Sequence, residues 1–212
     1  MQIKLIKTLI EKLSKKPIYV LIFVCLILFF YKLGSYKLID VDEPRYAEAA
    51  REMLLSNNWI TPYFNYALRL DKPVFFYWLI AIFYKFFGVN EFAARFSSAL
   101  FASSTVMFLY YFVRKTISKQ VALISSFILA TSLEFIVLGR TSITDMTLSF
   151  FIVGTILSGY LGSIAEENKS KYWWWLAYLF SGIAVLTKGP VGFVLPAIIL
   201  GLYFILTGQL KE

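Results

Sequence analysis

The feature that most constrains this chain is a succession of apolar blocks, at residues 17–33, 92–113, 121–139, 146–164, 173–186 and 191–206, separated by short polar segments. A helix crossing the bilayer core needs about 20 predominantly apolar residues, so the pattern predicts an all-α polytopic membrane protein with about six spans. Composition excludes a soluble globular protein: 59% of the 212 residues are hydrophobic and 16% charged, where soluble domains run at about 45–50% and 25%. In a soluble chain the net charge of +8 would suggest nucleic acid. Here it has first to be divided between two sides of a membrane, and no nucleic-acid partner is expected. Cys25, the single cysteine, lies in the first block, and there is no histidine. Neither an internal disulfide nor a cysteine or histidine metal cluster is available from these residues.

Lys4, Lys7, Lys12, Lys15 and Lys16 precede the first block, as the basic region of a secretory signal does. The block ends in Tyr31-Lys32-Leu33-Gly34-Ser35-Tyr36, which lacks the Ala-x-Ala-like pattern of a cleavage site. It reads as an uncleaved span with the N-terminus in the cytoplasm, in an inner or plasma membrane. Residues 74–87 are apolar and aromatic but number only 14 and include Lys85; as a helix they cover about 21 Å of a roughly 30 Å core. The basic residues decide whether they cross. If they do not, Arg114, Lys115, Lys119, Lys169, Lys171 and Lys211 fall in the cytoplasm, and Arg140 and Lys188 outside. If they do, that distribution reverses, against the positive-inside rule. Residues 74–87 are therefore expected to lie along the outer surface, and the loop 38–72 and the turns at 140–145 and 187–190 then share that face. No solenoid repeat, low-complexity tract or long linker divides the chain, so residues 1–212 read as one domain or part of one.

Most of the unusual polar residues fall in these outer segments. Residues 40–57 read Asp-Val-Asp-Glu-Pro-Arg-Tyr-Ala-Glu-Ala-Ala-Arg-Glu-Met-Leu-Leu-Ser-Asn, with acids and a proline opening a helical pattern. Tyr46, Ala50, Met53 and Leu54 fall on one face and Arg45, Glu48 and Glu52 on the other, as in a short amphipathic helix beside the membrane. Asp42 and Glu43 stand at its positive end with Arg45 in reach; Asp42 also suits an ordinary N-cap. A second polar knot is Arg69-Leu70-Asp71-Lys72-Pro73, at headgroup depth, where a lysine holds phosphate either in a dedicated site or by nonspecific snorkelling. The third, residues 139–145, carries Arg140 and Asp145, and Asp145 too is placed to cap a helix. Lys188-Gly189-Pro190 makes a compact outer turn. Elsewhere, Gly154, Ser158 and Gly162, and likewise Ala94, Ser98 and Ala102, recur every four residues and suit close helix approach. Trp173-Trp174-Trp175 fits the cytoplasmic aromatic belt. Glu134 lies inside a span, where a charge is costly, and must be protonated, paired or facing a polar cavity.

The string Asp42-Glu43-Pro44-Arg45-Tyr46-Ala47-Glu48-x-Ala50-Arg51-Glu52-Met53, followed by Asp71-Lys72-Pro73 and Tyr77-Trp78, resembles the start of the polyprenyl-phosphate-dependent glycosyltransferases. The nearest likeness is to the lipid A aminoarabinose transferase branch, which is related to the protein O-mannosyltransferases. The resemblance continues through Arg95-Phe96, Gly139-Arg140, Asp145 and Leu186-Thr187-Lys188-Gly189-Pro190. It implies a GT-C transmembrane bundle whose first external loop carries juxtamembrane helices. It also implies an enzyme that moves a sugar, with inversion, from a polyprenyl-phosphate donor to a lipid A, glycan or protein acceptor on the outer face. By the same resemblance Asp42 is the catalytic carboxylate and Asp145 the second acid. Arg45 and Lys72 stand near the donor phosphate, and Glu43, Arg140 and Lys188 are further substrate-binding candidates. These residue types suit the chemistry, since an acceptor hydroxyl needs a base and a departing lipid phosphate needs cations. The family usually has glutamate before the Lys-Pro and an aromatic two residues before that lysine, where this chain has Asp71 and Leu70. Asp71 is the residue through which a divalent metal would be held, and no other cofactor is implied. Family members run well beyond twice this length, so the likeness is to their N-terminal portion. The competing classes are a transporter module and a noncatalytic lipid-binding subunit. A transporter places its ionisable residues near the bilayer midplane, whereas here they gather at one face.

Overall fold

The computed structural model describes residues 17–39 and 41–209; the lysines from Lys4 to Lys16, Asp40 and Lys211 lie outside the described residues. Helix α1 (Pro17–Cys25) continues into a π-helical turn at Leu26–Phe30. Next come α2 (Asp42–Ser56), a hairpin of β1 (Tyr63–Phe64) and β2 (Ala67–Leu68), and α3 (Phe75–Phe87). The remainder is α4 (Glu91–Thr116), α5 (Lys119–Thr131), α6 (Leu133–Gly139), α7 (Thr144–Ile164), α8 (Glu167–Lys188) and α9 (Val191–Thr207). Local chemistry sets several boundaries. The Asn90 and Ser118 side chains accept the N–H groups of Ala93 and Val121 to open α4 and α5. Gly88 and Gly189, at φ 77° and 76°, stop α3 and α8 in a backbone region that glycine enters without strain.

The expected six spans are matched in part. Glu91–Thr116 and Thr144–Ile164 are long and apolar enough to cross alone, and Lys119–Thr131 with Leu133–Gly139, bent by 67°, adds a third crossing where the pair acts as one broken span. Ile18–Phe30 and Val191–Thr207 are shorter apolar helices, and α8 begins with the charged stretch Glu167-Asn168-Lys169-Ser170-Lys171. The bend at Ser132 also changes the reading of Glu134. It lies in the first turn of α6 and is exposed, so its carboxylate stands at a helix amino end, which favours negative charge, rather than inside a straight span.

Helix α3 does not cross. Lys72, just before it, lines one cleft with Asp145 and Lys188, while Asn90 and Glu91, just after it, share a pocket with Pro44 and Phe64. Both ends therefore lie against α2 and its loop. Between Lys72 and Asp145 the crossings must be even in number, and α4 with α5–α6 supplies two. Phe76, Tyr77, Ile80 and Ala81 of α3 are fully buried against Tyr46, Ala50 and Met53 of α2 and Ala93 and Ala94 of α4. The opposite end of the bundle brings Trp173 against Tyr111, with ring centroids 6.3 Å apart, and sets the Lys115 ammonium 4.7 Å from the Trp173 ring. The basic end of α4 is thus a neighbour of the start of α8, where Lys169 and Lys171 pair with Glu166 and Glu167.

Small residues permit tight approaches, at Gly154 where the spacing suggested one and at Gly192 where it did not. A Cβ on Gly154 would lie 2.6 Å from the Phe180 ring, and one on Gly192 would lie 2.3 Å from the Ala184 carbonyl carbon. Ala94, Ser98 and Ala102 are fully buried. One residue of α2 departs from its expected face. Glu52 is buried because its carboxylate accepts the Tyr66 N–H at 3.3 Å. That bond holds a hairpin turn whose Asn65 and Tyr66 both take positive φ, 51° and 62°, as a two-residue hairpin turn requires.

Candidate functional site

Under the amino end of α2 lies a buried ion pair. Arg95, one turn into α4, is 0% exposed and Glu43, the second residue of α2, is 2% exposed. Arg95 Nε and Nη2 donate to Glu43 at 2.9 and 2.8 Å. Nη1 donates to the Leu33 and Tyr36 carbonyls at 3.1 and 2.9 Å, and Nη2 also to the Lys37 carbonyl at 2.9 Å. Glu43 further accepts the N–H groups of Ile39 at 2.8 Å and Ser142 at 2.6 Å. The Tyr36 ring covers the guanidinium at 4.0 Å. Burying two charges costs several kcal/mol per ion, which is offset only when the remaining donors and acceptors are met. They are met here: the five N–H groups of the guanidinium all have acceptors. The pair is a clasp joining the segment that follows the first helix, α2, α4 and the α6–α7 turn. Arg140 plays a parallel part, since its Nη1 and Nη2 donate to the Leu28 and Tyr31 carbonyls at 2.8 and 2.9 Å. Such carbonyls are left without partners where a helix ends.

Beside the clasp opens a cleft of about 360 Å³. Asp42, Arg45 and Tyr46 reach it from α2, Arg69, Asp71 and Lys72 from the loop before α3, Thr144 and Asp145 from the start of α7, and Lys188 from the end of α8. Four cations and three carboxylates line it, at the positive end of α2. The two principal acids are held differently. Neither acts as a side-chain cap: the cap positions of α2 and α7 are Val41 and Ile143. Asp145 forms an ion pair with Lys188, whereas Asp42 is exposed in the first turn of α2. Arg69 is nearly buried. Its Nε donates to the Tyr77 hydroxyl at 3.1 Å, Asp71 lies 3.4 Å away, and the Tyr46 and Phe64 rings each lie 5.5 Å from its guanidinium. Burial pushes the Tyr46 phenol above its ordinary pKa, with a hydrogen bond to Thr144 acting the other way, so the hydroxyl stays protonated at neutral pH.

Asp42 and Ile143 also border a second pocket, of about 520 Å³, walled by Tyr36, Ile39, Ile136, Val137 and Leu138 with Glu43 and Arg140. The first cleft therefore gathers Asp42, Arg45, Asp71, Lys72, Asp145 and Lys188 from separate segments. It leaves out Glu43 and Arg140, two of the expected substrate-binding residues. Both Glu43 carboxylate oxygens are bonded to Arg95 and to backbone N–H groups, and Arg140 donates from Nη1 and Nη2 to two backbone carbonyls, so both residues brace the loops around the cleft. Asp71, the candidate for a metal contact, is 65% exposed and lies 3.4 Å from the Arg69 guanidinium. Among the described residues no three His, Cys, Asp or Glu side chains gather to hold an ion. Sequence reasoning passed over Arg95 as a partner of Glu43. The available signal was a charge at the start of an apolar block, which demands a counter-ion. Tyr46 and Thr144 carried no such signal.

The family described as dolichyl-phosphate-mannose-protein mannosyltransferase matches residues 16–212. An uncharacterised protein of Aquifex aeolicus (strain VF5) is 42% identical over 195 residues, which are 92% of this chain and 38% of the relative. The undecaprenyl phosphate-alpha-4-amino-4-deoxy-L-arabinose arabinosyl transferase of Wigglesworthia glossinidia brevipalpis is 32% identical over 205 residues, 95% of this chain and 36% of the relative. The crystal structure of ArnT from Cupriavidus metallidurans bound to undecaprenyl phosphate superposes with a TM-score of 0.86 at 28% identity, covering 91% of this chain and 36% of that one. The chain thus spans little more than a third of the length of these relatives. A match along almost the whole chain, carried by the same helical fold, makes this a multi-pass membrane protein of GT-C architecture that belongs to the dolichyl-phosphate-mannose-protein mannosyltransferase family.

Proposed function

We propose that the chain forms the outer-face catalytic portion of a glycosyltransferase that takes a sugar from a polyprenyl-phosphate donor and gives it to a lipid A, glycan or protein hydroxyl. The observation that carries this reading is the cleft in which an exposed Asp42 stands among Arg45, Lys72 and the Lys188–Asp145 pair. A group-transfer site for a lipid phosphate needs a base for the incoming hydroxyl and cations for the departing phosphate. In this mechanism Asp42 accepts the acceptor's hydroxyl proton while that oxygen attacks the anomeric carbon. The bond from carbon to the phosphate oxygen breaks, its electron pair stays on the phosphate, and the anomeric centre inverts. Arg45, Lys72 and Lys188 hold the polyprenyl phosphate as its charge grows. Asp145, already paired with Lys188, holds that ammonium in place rather than serving as a second base. Glu43 and Arg140 act beneath the site by fixing the loops. The ArnT structure with undecaprenyl phosphate and the aminoarabinose transferase relative support this class of donor. The grouping of Arg114, Lys115, Lys169 and Lys171 at the far end supports a cytoplasmic N-terminus.

The test is to reconstitute the full-length protein in nanodiscs with undecaprenyl-phosphate-linked 4-amino-4-deoxy-L-arabinose and lipid A, and to follow the sugar by mass spectrometry. Transfer onto lipid A is the expected result. Absence of transfer, with undecaprenyl phosphate bound no better than by empty nanodiscs, would contradict the reading.

A further inference from the structure

Helix α2 carries a second set of charged groups on the side turned away from the cleft. Asp42, Arg45 and Tyr46 reach the cleft, whereas Glu48 and Arg51 line a pocket of about 480 Å³, an opposition that follows from steps of about 100° per residue. Tyr84 from the last turns of α3 and Glu91 from the first turn of α4 complete its polar lining. Three of these groups have bonding capacity to spare. Tyr84 is only 5% exposed, yet its hydroxyl has no hydrogen-bond partner among the described residues. Glu91 has no ion pair among the described residues, and its place at a helix amino end keeps its carboxylate charged. Arg51 gives Nε and Nη2 to Glu48 at 2.8 and 2.6 Å and keeps Nη1. Burial first, then the charges of Glu48 and Glu91, push the Tyr84 phenol up to about 12, with Arg51 acting the other way. It is thus a neutral hydroxyl close to both carboxylates. We propose that this pocket binds the headgroup of phosphatidylethanolamine, with the lipid's ammonium between Glu91 and Tyr84 and its phosphate on Arg51. The inference goes beyond the transferase reading and does not depend on it.

Depth, charge and the orphaned hydroxyl each narrow the ligand. Glu91 opens α4, a helix long and apolar enough to cross, so the pocket lies where a crossing begins, at the level of the headgroups. Phe86 and Val89, on either side of Gly88, are 77% and 58% exposed, and such side chains at that depth rest among lipid. The charges of Glu48, Glu91 and Arg51 sum to one negative, which disfavours an anionic headgroup and suits one that carries both signs. A buried hydroxyl without a partner is costly, and an ammonium N–H donated to the Tyr84 oxygen supplies the missing bond. Choline has no N–H to donate, and a glycerol headgroup has no positive charge to set against Glu91. Asn90 adds nothing to this recognition, because its Oδ1 already accepts the Ala93 N–H and its Nδ2 donates to the Phe87 carbonyl.

The test is native mass spectrometry of the full-length protein in detergent, titrated separately with dioleoyl phosphatidylethanolamine, phosphatidylcholine and phosphatidylglycerol. The ethanolamine lipid is expected to bind at least about tenfold more tightly than the other two, the worth of one hydrogen bond to a charged group. Glu91→Gln and Tyr84→Phe should each weaken that binding by about tenfold and leave the Tm of the lipid-free protein where it was. The comparison among lipids is made on the wild type, so it decides the matter even if a variant fails to fold. Equal affinity for the three lipids, or a preference for phosphatidylglycerol, would overturn the inference. So would ethanolamine-lipid binding that survives both substitutions, since the lipid would then sit elsewhere. Soluble glycerophosphoethanolamine separates the two sources of the same headgroup: weak competition supports a lipid site, and binding as tight as the lipid's would give the pocket to a soluble amine instead. Sugar transfer is not the readout, so a protein without transferase activity would still show the lipid preference or lack it.

Discussion

The clasp around Arg95 and the cleft around Asp42 begin at adjacent residues and use charge in opposite ways. Asp42 and Glu43 are separated by about 100° around α2, so one carboxylate turns out and the other in. In the clasp, Glu43 is 2% exposed and every guanidinium N–H of Arg95 is bonded inside the protein. In the cleft, Asp42 and Arg45 are exposed and Lys72 partly so, while the side chains of Lys188 and Asp145 are 33% and 40% exposed. A saturated, buried pair cannot change partners without unfolding its surroundings. A half-exposed pair can admit a third, anionic group. Charge committed to the backbone holds the site in shape, and charge left over is free for a ligand.

The largest expected effect falls on the clasp. Arg95→Leu leaves Glu43 buried without its counter-ion and strips three loop carbonyls of their donor, a loss of about 3–5 kcal/mol when one partner of a buried pair is removed. Thermal unfolding in detergent should show it as a large drop in Tm; a variant that melts like the wild type would break the distinction between the two regions. Next is Lys188→Ala in the cleft. Removing one exposed ion pair should cost no more than about 1 kcal/mol of stability, while loss of a charged hydrogen bond should weaken donor binding by about 1.5–3 kcal/mol. Donor KM against Tm separates the two, and equal damage to both would place Lys188 in the scaffold.

The smallest effect sharpens the border between the regions. The raised pKa of Tyr46 comes first from burial. Its contribution to stability is therefore fully present below the ordinary tyrosine value of about 10 and is lost as the pH rises through the higher folded value. Tyr46→Phe should remove part of that alkaline loss and cost about 0.5–1.5 kcal/mol at neutral pH through the bond to Thr144. Unfolding curves at pH 7 and above 10 would measure both, and an unaltered alkaline limb would mean that Tyr46 is not the group responsible.

Much of this architecture was legible in residue patterns, and the exceptions have local causes. The apolar face of α2 follows from its 3.6-residue spacing, and the surface position of α3 follows from its length and the distribution of bases. The acids and lysines of the cleft stood out because polar runs at the ends of apolar blocks share one side of the membrane. Spacing could not show that Glu43 turns inward, because its partner Arg95 is 52 residues away. The α5–α6 break carried no warning, since Ala130-Thr131-Ser132-Leu133 contains neither proline nor glycine. The hairpin was hidden for a similar reason: Asn65-Tyr66 lacks the glycine that usually marks such a turn. Glu52, placed by helical phase on the open face, is drawn into that turn by a backbone N–H that no periodicity could foresee.

The central claim is that two neighbouring carboxylates divide the work, Asp42 in chemistry and Glu43 in structure. The most direct test is to measure turnover and thermal unfolding on the same full-length preparations of Asp42→Asn and Glu43→Gln. Asp42→Asn should melt with the wild type and lose at least about 10²-fold in turnover, the usual cost of removing a general base, while Glu43→Gln should lose Tm first and activity only with it. An Asp42→Asn protein that turns over near the wild-type rate, or that loses activity only because it unfolds, would contradict the account.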